Sequence, residues 1–265
     1  KDQGAEAAGL SADGSTSSEW LPYAALGYDL TDRLNIRLAY GRNHAGAWQG
    51  PLYSVFKASQ AAFTKAGVTL QDLWDDVKLE TSDNLDLGAR YQGDGWSVRP
   101  TLFYARFHDK QVLGYDPAVN TAYLQSDGQA RSMGAELEAD CSPLAGLTLF
   151  GSASYNRFTF TEDLQTKAGS TLDIEGNQVT DAPEWLAKVG LTYALGGFSV
   201  TPLYRYVGAR YGDVANNQRV DAYHVVDLYL KYVFGDLPWG KEVTVGLTLL
   251  NLFGEEYVSI IKNDQ

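Results

Sequence analysis

Ten short stretches of this chain alternate apolar and polar residues, and the connections between them alternate between tight turns and long loops. Residues 184–195 show the pattern at residue level. Trp185, Ala187, Val189, Leu191, Tyr193 and Leu195 fall on one parity, and Lys188, Gly190, Thr192 and Ala194 on the other. A period of two describes an extended strand with two different faces. When many such strands are joined alternately by turns and loops, all the turns lie at one end and all the loops at the other. That is the pattern of an all-β, antiparallel up-and-down transmembrane barrel.

Composition is compatible with this reading. The net charge is −12 and the pI about 4.6, which argues against nucleic acid as a partner because a basic patch is expected there. Mean hydropathy is −0.25, and no apolar run approaches a spanning helix. Membrane lipid remains the expected partner, since a barrel strand turns only alternate residues to the bilayer. Seventeen Tyr suit the bilayer interfaces, and 27 Gly suit turns and crowded inner positions. The one cysteine, Cys141, forms no internal disulfide and reads as a small apolar residue near a turn. The chain begins Lys1-Asp2-Gln3, which leads us to expect that the native N-terminus lies further upstream.

Along the chain, residues 1–19 read as a mobile polar loop, and strands are expected at about 20–30, 34–43, 84–92 and 96–107. The connection 44–81 carries helical spacing from Val55 to Asp76 and is expected to form a structured loop with a helix. A second long connection is expected at about 108–128. It precedes a fifth strand in which Met133, Ala135, Leu137 and Ala139 oppose Gly134, Glu136, Glu138 and Asp140. Three acids on one face must meet water or paired cations, because a charge in hydrocarbon costs on the order of 2–4 kcal/mol. A sixth strand at 147–158, an acidic loop at 161–183 and a seventh strand at 184–195 follow, with a hairpin signal at Gly196-Gly197. The eighth strand (198–209), a loop at 210–221 and two further strands around Val226–Phe234 and Val243–Leu249 complete the pass.

The aromatics sort into two bands. Tyr28, Tyr91, Trp96, Tyr193, Phe198, Tyr232 and Phe234 lie beside the turns. Trp20, Tyr40, Tyr104, Tyr155, Trp185 and Tyr206 lie at the loop ends, in the same outward register. Two such girdles around an aliphatic band are what two membrane interfaces select. Pro22, Pro100 and Pro202 are expected near strand ends or bulges, where a missing N–H is tolerated. Ten strands with two bare edges would leave backbone groups unpaired in lipid, so residues 1–265 are expected to be one part of a larger closed barrel.

Several segments resemble the C-terminal region of TonB-dependent outer-membrane receptors. They are Tyr223-His224-Val225-Val226-Asp227-Leu228, Tyr232-Val233-Phe234, Val243-Thr244-Val245-Gly246-Leu247, and Asn251-Leu252-Phe253-Gly254 with Tyr257. Gly134-Ala135-Glu136-Leu137-Glu138, and Pro183-Glu184 before a strand ending Leu191-Thr192-Tyr193, resemble it as well. The resemblance implies a barrel of about twenty-two strands plugged by a globular domain. On that template the plug, the energy-coupling segment and the closing strand lie outside this stretch. It implies a location in the outer membrane of a Gram-negative bacterium, with turns facing the periplasm and loops the exterior. The implied partners are a small-molecule ligand such as a ferric siderophore and, through the plug, the periplasmic energy-coupling protein TonB. No cofactor is expected; an iron chelate would be cargo.

No catalytic motif stands out. His44, His108 and His224 lack metal-ligand spacing, and no phosphate-binding or nucleophile signature occurs. The chain therefore reads as a non-enzyme without a metal site. Glu136, Glu138 and Asp140 either line a cation path or form a hydrated wall paired with Arg37, Arg90, Lys188, Arg205 and Lys231; the paired wall is the ordinary state of such lumens. Near the strand tops, His44, Trp48, Tyr53, His108, Tyr115, Arg210 and Tyr211 are the candidate ligand-binding residues, since aromatics and arginine suit anionic or aromatic ferric chelates. The competing role for each is interface anchoring or loop packing. Gly41-Arg42-Asn43-His44 through Gly50-Pro51 does not match the pattern of haem receptors. Energised uptake of a scarce ligand is weighed against a passive diffusion porin or adhesin barrel, and against an outer-membrane enzyme.

Overall fold

The computed structural model describes residues 18–46, 52–237 and 240–261. Ten strands form one sheet: β1 (Tyr23–Thr31), β2 (Leu34–Ala45), β3 (Glu80–Gln92), β4 (Trp96–Asp116), β5 (Thr121–Leu144), β6 (Leu147–Phe160), β9 (Trp185–Leu195), β10 (Phe198–Val207), β13 (Tyr223–Leu237) and β14 (Gly240–Leu249). They pair in chain order, each antiparallel to the next, so the meander expected from the sequence is present. The sheet is open, with β1 and β14 at its edges. Two small ribbons stand outside it: β7 (Leu164–Gln165) with β8 (Thr171–Leu172), and β11 (Arg210–Tyr211) with β12 (Arg219–Val220). Helices α1 (Leu52–Ala58), α2 (Gln60–Lys65) and α3 (Leu70–Asp76) occupy the β2–β3 connection. Thr69 and Asp72 form a reciprocal cap at the start of α3, satisfying two otherwise orphaned backbone donors.

The tight turns carry the backbone they require. Gly196 and Gly197 have φ of 56° and 85°, the left-handed pair that lets a two-residue turn match strand twist. The two side-chain parities are sorted as expected. Leu38, Leu85, Leu87, Leu102, Leu137, Leu149 and Val189 are all exposed on the outward parity. Tyr91 stacks on Trp96 at 5.0 Å by the turns, and Tyr155 packs on Trp185 at 4.9 Å by the loops.

Three expectations need correcting. The long connection at 108–128 is not a loop. β4 and β5 run on as a hairpin whose turn is only residues 117–120, with register shifts between Phe107, Lys110 and Val112. Asp109, Gly114, Pro117 and Gly128 punctuate the sequence like a loop, but the bulges absorb the irregularity. Since about ten residues cross the hydrocarbon, β5 with its 24 residues projects well beyond it. Secondly, Pro100 and Pro202 lie inside strands and not at their ends. The missing N–H is accommodated by a local gap in one ladder. No pairs register between Gly88↔Thr101 and Tyr91↔Val98, nor between Val200↔Tyr193 and Leu203↔Gly190. A 2.8 Å hydrogen bond between the Thr192 and Thr201 hydroxyls bridges the second gap. Thirdly, β1 starts at Tyr23, after Trp20 and Pro22. The mobile segment expected at 1–19 lies almost entirely outside the described residues.

The sheet has almost no core of its own. The buried apolar side chains concentrate above it, where α1–α3 pack on the β4–β5 hairpin through Phe56, Phe63, Leu73, Val119 and Tyr123. A second cluster joins Val112, Phe160, Leu164, Ile174, Val179 and Val214. Solvation of each sheet face must therefore come from outside it: lipid on one side, water or protein on the other. Two aromatic rings smooth the inner face. Phe103 lies over its cross-strand partner Gly134, and Phe150 over Gly190, each within 2.5 Å of where a Cβ would stand.

This face assignment predicts that Leu137→Arg destabilises the membrane-inserted barrel by about 2–4 kcal/mol, while Thr101→Arg on the inner face costs little. Denaturant titration of the reconstituted barrel measures both.

Candidate functional site

The inner wall is held by charge pairs that differ from the expected set. Glu138 and Asp140 on β5 both face Arg99 on β4, at 3.1 and 3.2 Å. Arg99 was not among the cations expected as their partners, although it lies on the inward parity of β4 with Ser97, Thr101 and Phe103. That parity was the available signal. Ser97 completes the group, its hydroxyl donating to Asp140 at 2.5 Å. Glu136 meets the Ser154 hydroxyl at 3.4 Å.

Three of the expected cations are engaged elsewhere. Arg37 donates to the Tyr23 hydroxyl at 2.8 Å, and Arg90 to the Gln92 side chain at 3.3 Å. Arg205 pairs with Asp227 at 2.7 Å. Among the described residues, Lys188 and Lys231 form no ion pair within 4.0 Å. Asp227 is fully buried and also accepts the Asn251 N–H at 2.8 Å, which ties the segment after β14 back onto the wall. Above the acidic strip a hollow of about 410 Å³ is lined by Asn84, Asp86, Phe103, Phe107, Glu136 and Asn156 among others.

Over the loop end sits a braced cap. Asp116 is wholly buried and accepts hydrogen bonds from the Tyr123 hydroxyl at 3.0 Å and the Ala118 N–H at 2.9 Å. Burial alone would raise its pKa, yet hydrogen bonds from Thr166, Ser170, Ala118 and Tyr123 together hold it below the ordinary carboxylate value. Burial, reinforced by the Asp116 charge, pushes the Tyr123 phenol well above its usual range. Lys167 reaches from the β7–β8 turn to the buried Asp76 of α3 at 2.7 Å. Burial raises Asp76 despite this cation, while hydrogen bonding to Asp76 raises Lys167. Lys78 bridges to Asp127 at 2.7 Å. Three connections thus interlock.

Against this geometry the candidate ligand residues separate. Tyr115 is 53% exposed, donates to Asn120 at 2.5 Å, and borders a hollow of about 440 Å³ formed with Leu172, Asp173, Asp213 and Val214. Tyr211 is half-buried on β11, and its carbonyl accepts the Asp181 N–H at 2.9 Å. Arg210 is not free for an anion: it is 2% exposed, bonded to Asp181 at 2.6 Å and to the Val258 carbonyl at 2.5 Å, and lies over the Tyr223 ring. It clamps two loops to the segment after β14.

Tyr53 packs against the helical core, with Lys57 6.0 Å from its ring centroid. His44 and His108 share the partner Thr81 in the register, on the parity of the outward leucines. Neither points into the lumen; a strand-top position alone does not reveal the face. Trp48 lies outside the described residues. The six described candidates therefore do not come together in one site.

Residues 2–252 match the family model described as TonB dependent receptor-like, beta-barrel. The ferrichrome outer membrane transporter/phage receptor of Escherichia coli K12 is 31% identical over 137 residues, covering 50% of this chain and 17% of that protein. The ferrioxamine receptor of Yersinia enterocolitica is 27% identical over 227 residues, covering 82% of this chain and 30% of that one. The crystal structure of the ferric yersiniabactin uptake receptor FyuA from Yersinia pestis shares the fold with a TM-score of 0.62 at 20% identity, over 89% of this chain and 32% of its own. The chain thus spans between 17% and 32% of the length of these proteins.

The cap geometry predicts an acid response. Because the folded-state pKa of Asp116 is depressed, its contribution is complete above the ordinary value of 3.8 and is lost as pH falls through the lower folded value. Hydrogen exchange at residues 118–126 is expected to accelerate in that window. Asp116→Ala should weaken the cap by about 1–3 kcal/mol at neutral pH and abolish the acid step.

Proposed function

The chain belongs to the TonB-dependent receptor-like β-barrel family, and on that premise we propose that it forms the wall and loop cap of a receptor for energised uptake of a ferric siderophore. It is an outer-membrane protein of a Gram-negative bacterium. Its turns then face the periplasm and its interlocked loops the exterior. The reading rests on one observation above the others. A polar, charge-paired inner wall is joined to a braced cap that holds an open hollow bordered by Tyr115. A plug domain seated in the closed barrel would contact TonB and carry the energy step.

In this reading the cap captures the chelate and the wall guides it. Tyr115 offers an exposed ring at the loop end, while Arg210 and Asp116 serve as braces. Iron is cargo held by its chelator, so the protein needs no iron ligands of its own. The names of the ferrichrome and ferrioxamine receptors support a siderophore as the ligand class.

Cells carrying the receptor, given radiolabelled iron as ferrichrome, ferrioxamine or a ferric catecholate, are expected to accumulate one of these, and to stop when TonB is deleted. Uptake that persists without TonB would indicate a passive pore. Uptake confined to haem or cobalamin would displace the siderophore. Tyr115→Ala should raise the Kd for the transported chelate about tenfold, the effect of losing one well-packed aromatic contact; equilibrium binding measures it.

A further inference from the structure

We propose that the outer face of β2–β6, just above the loop-side aromatic band, binds the phosphate groups of outer-leaflet lipid headgroups. The sheet register sets the site. Arg42 stands opposite Asp83, Asp83 opposite Arg106, and Arg106 opposite Arg131. Arg157, opposite Met133, adds a fourth guanidinium one step nearer the turns. All four share the parity of the exposed leucines, Leu38, Leu85, Leu87 and Leu102, and so look outward. Tyr40 and Tyr104 lie two residues closer to the turns, about 7 Å along the strands. One step above an interfacial aromatic belt is the depth of the lipid headgroups.

The charge at this place is unlike the rest of the molecule. The chain carries −12, yet here four arginines meet one carboxylate. Asp83 is itself occupied, accepting from the Tyr40 hydroxyl at 2.7 Å and lying 3.7 Å from His108. The side-chain contact of Arg42 is the Thr81 hydroxyl at 3.4 Å. Among the described residues, no carboxylate comes within 4.0 Å of Arg106, Arg131 or Arg157. Arg106 and Arg131 are direct cross-strand neighbours, and like charges so placed destabilise a sheet unless an anion lies between them. A guanidinium fork matches a phosphate with paired hydrogen bonds. The strand wall separates these side chains from the lumen, so a ligand in transit does not reach them. At this depth, on this face, the available anion is the headgroup. The inference uses the membrane placement of the sheet and not the ligand class, so the uptake experiment and the one below fail separately.

The receptor extracted from outer membranes and exchanged into mild detergent is titrated with bisphosphorylated lipid A and with its dephosphorylated form, and bound lipid is counted by native mass spectrometry. The wild type is expected to retain the phosphorylated lipid about tenfold better, and the triple variant R106Q/R131Q/R157Q to lose that preference. Arg33→Gln, at the turn end, should leave it intact. Equal retention of the two lipids by the wild type overturns the proposal, as does a triple variant that retains them like the wild type, or an equal loss with Arg33→Gln. Should the triple variant fail to assemble, Arg106→Gln and Arg157→Gln carry the same comparison singly, each with a partial loss expected and no loss contradicting the site.

Discussion

Backbone hydrogen bonding in a medium without water governs this molecule. Each unpaired N–H or C=O in hydrocarbon costs several kcal/mol, so the chain can cross only as strands that bond to neighbours on both sides. That requirement explains the unbroken meander of ten strands, the tight turns at one end, and the way Pro100 and Pro202 are confined to gaps in a single ladder. It also explains why the sheet needs no interior of its own. Its outward leucines and valines are solvated by lipid and its inward charges by each other and by water.

The consequence for function is a division of labour along the strands. In the span, rigidity comes from register, and the inner face is free to carry polar chemistry such as the Arg99–Glu138–Asp140 and Arg205–Asp227 groups. Beyond the span, the β4–β5 hairpin outgrows the membrane and becomes the scaffold on which α1–α3 and the β6–β9 connection build an ordinary globular core. The buried Asp116 and the Arg210 clamp hold separate loops in one cap. On the receptor reading proposed above, such a braced platform would present residues such as Tyr115 from a fixed support.

Much of this was legible in the residues themselves. Strict alternation in 184–195 gives the strand, its faces and its direction, because period two tolerates no other reading at that length. The Gly196-Gly197 turn and the two aromatic bands follow from equally local chemistry. The upper hairpin was not legible. Asp109, Pro117 and Gly128 look like loop residues, and only the bulges and the cover of neighbouring loops make a strand of them. The site residues were the hardest. A histidine at a strand top and an arginine in a loop carry no local mark of which way they point. His44 and His108 turned out to face outward, and Arg210 inward to Asp181, for reasons set by partners far away in the chain. Arg99 is the instructive opposite. Its inward parity was readable, but the pairing with two acids 39 and 41 positions later needed the register.

Alternate residues of one strand meet lipid and water. Spin labels placed singly along 185–195, in the reconstituted receptor with Cys141 replaced by alanine, report this directly through collisions with oxygen and with a water-soluble nickel chelate. Oscillation with a period of two is expected, with labels at 187, 189, 191 and 193 meeting oxygen and those at 188, 190 and 192 meeting the chelate. A flat profile, or one with a period near 3.6, would contradict it.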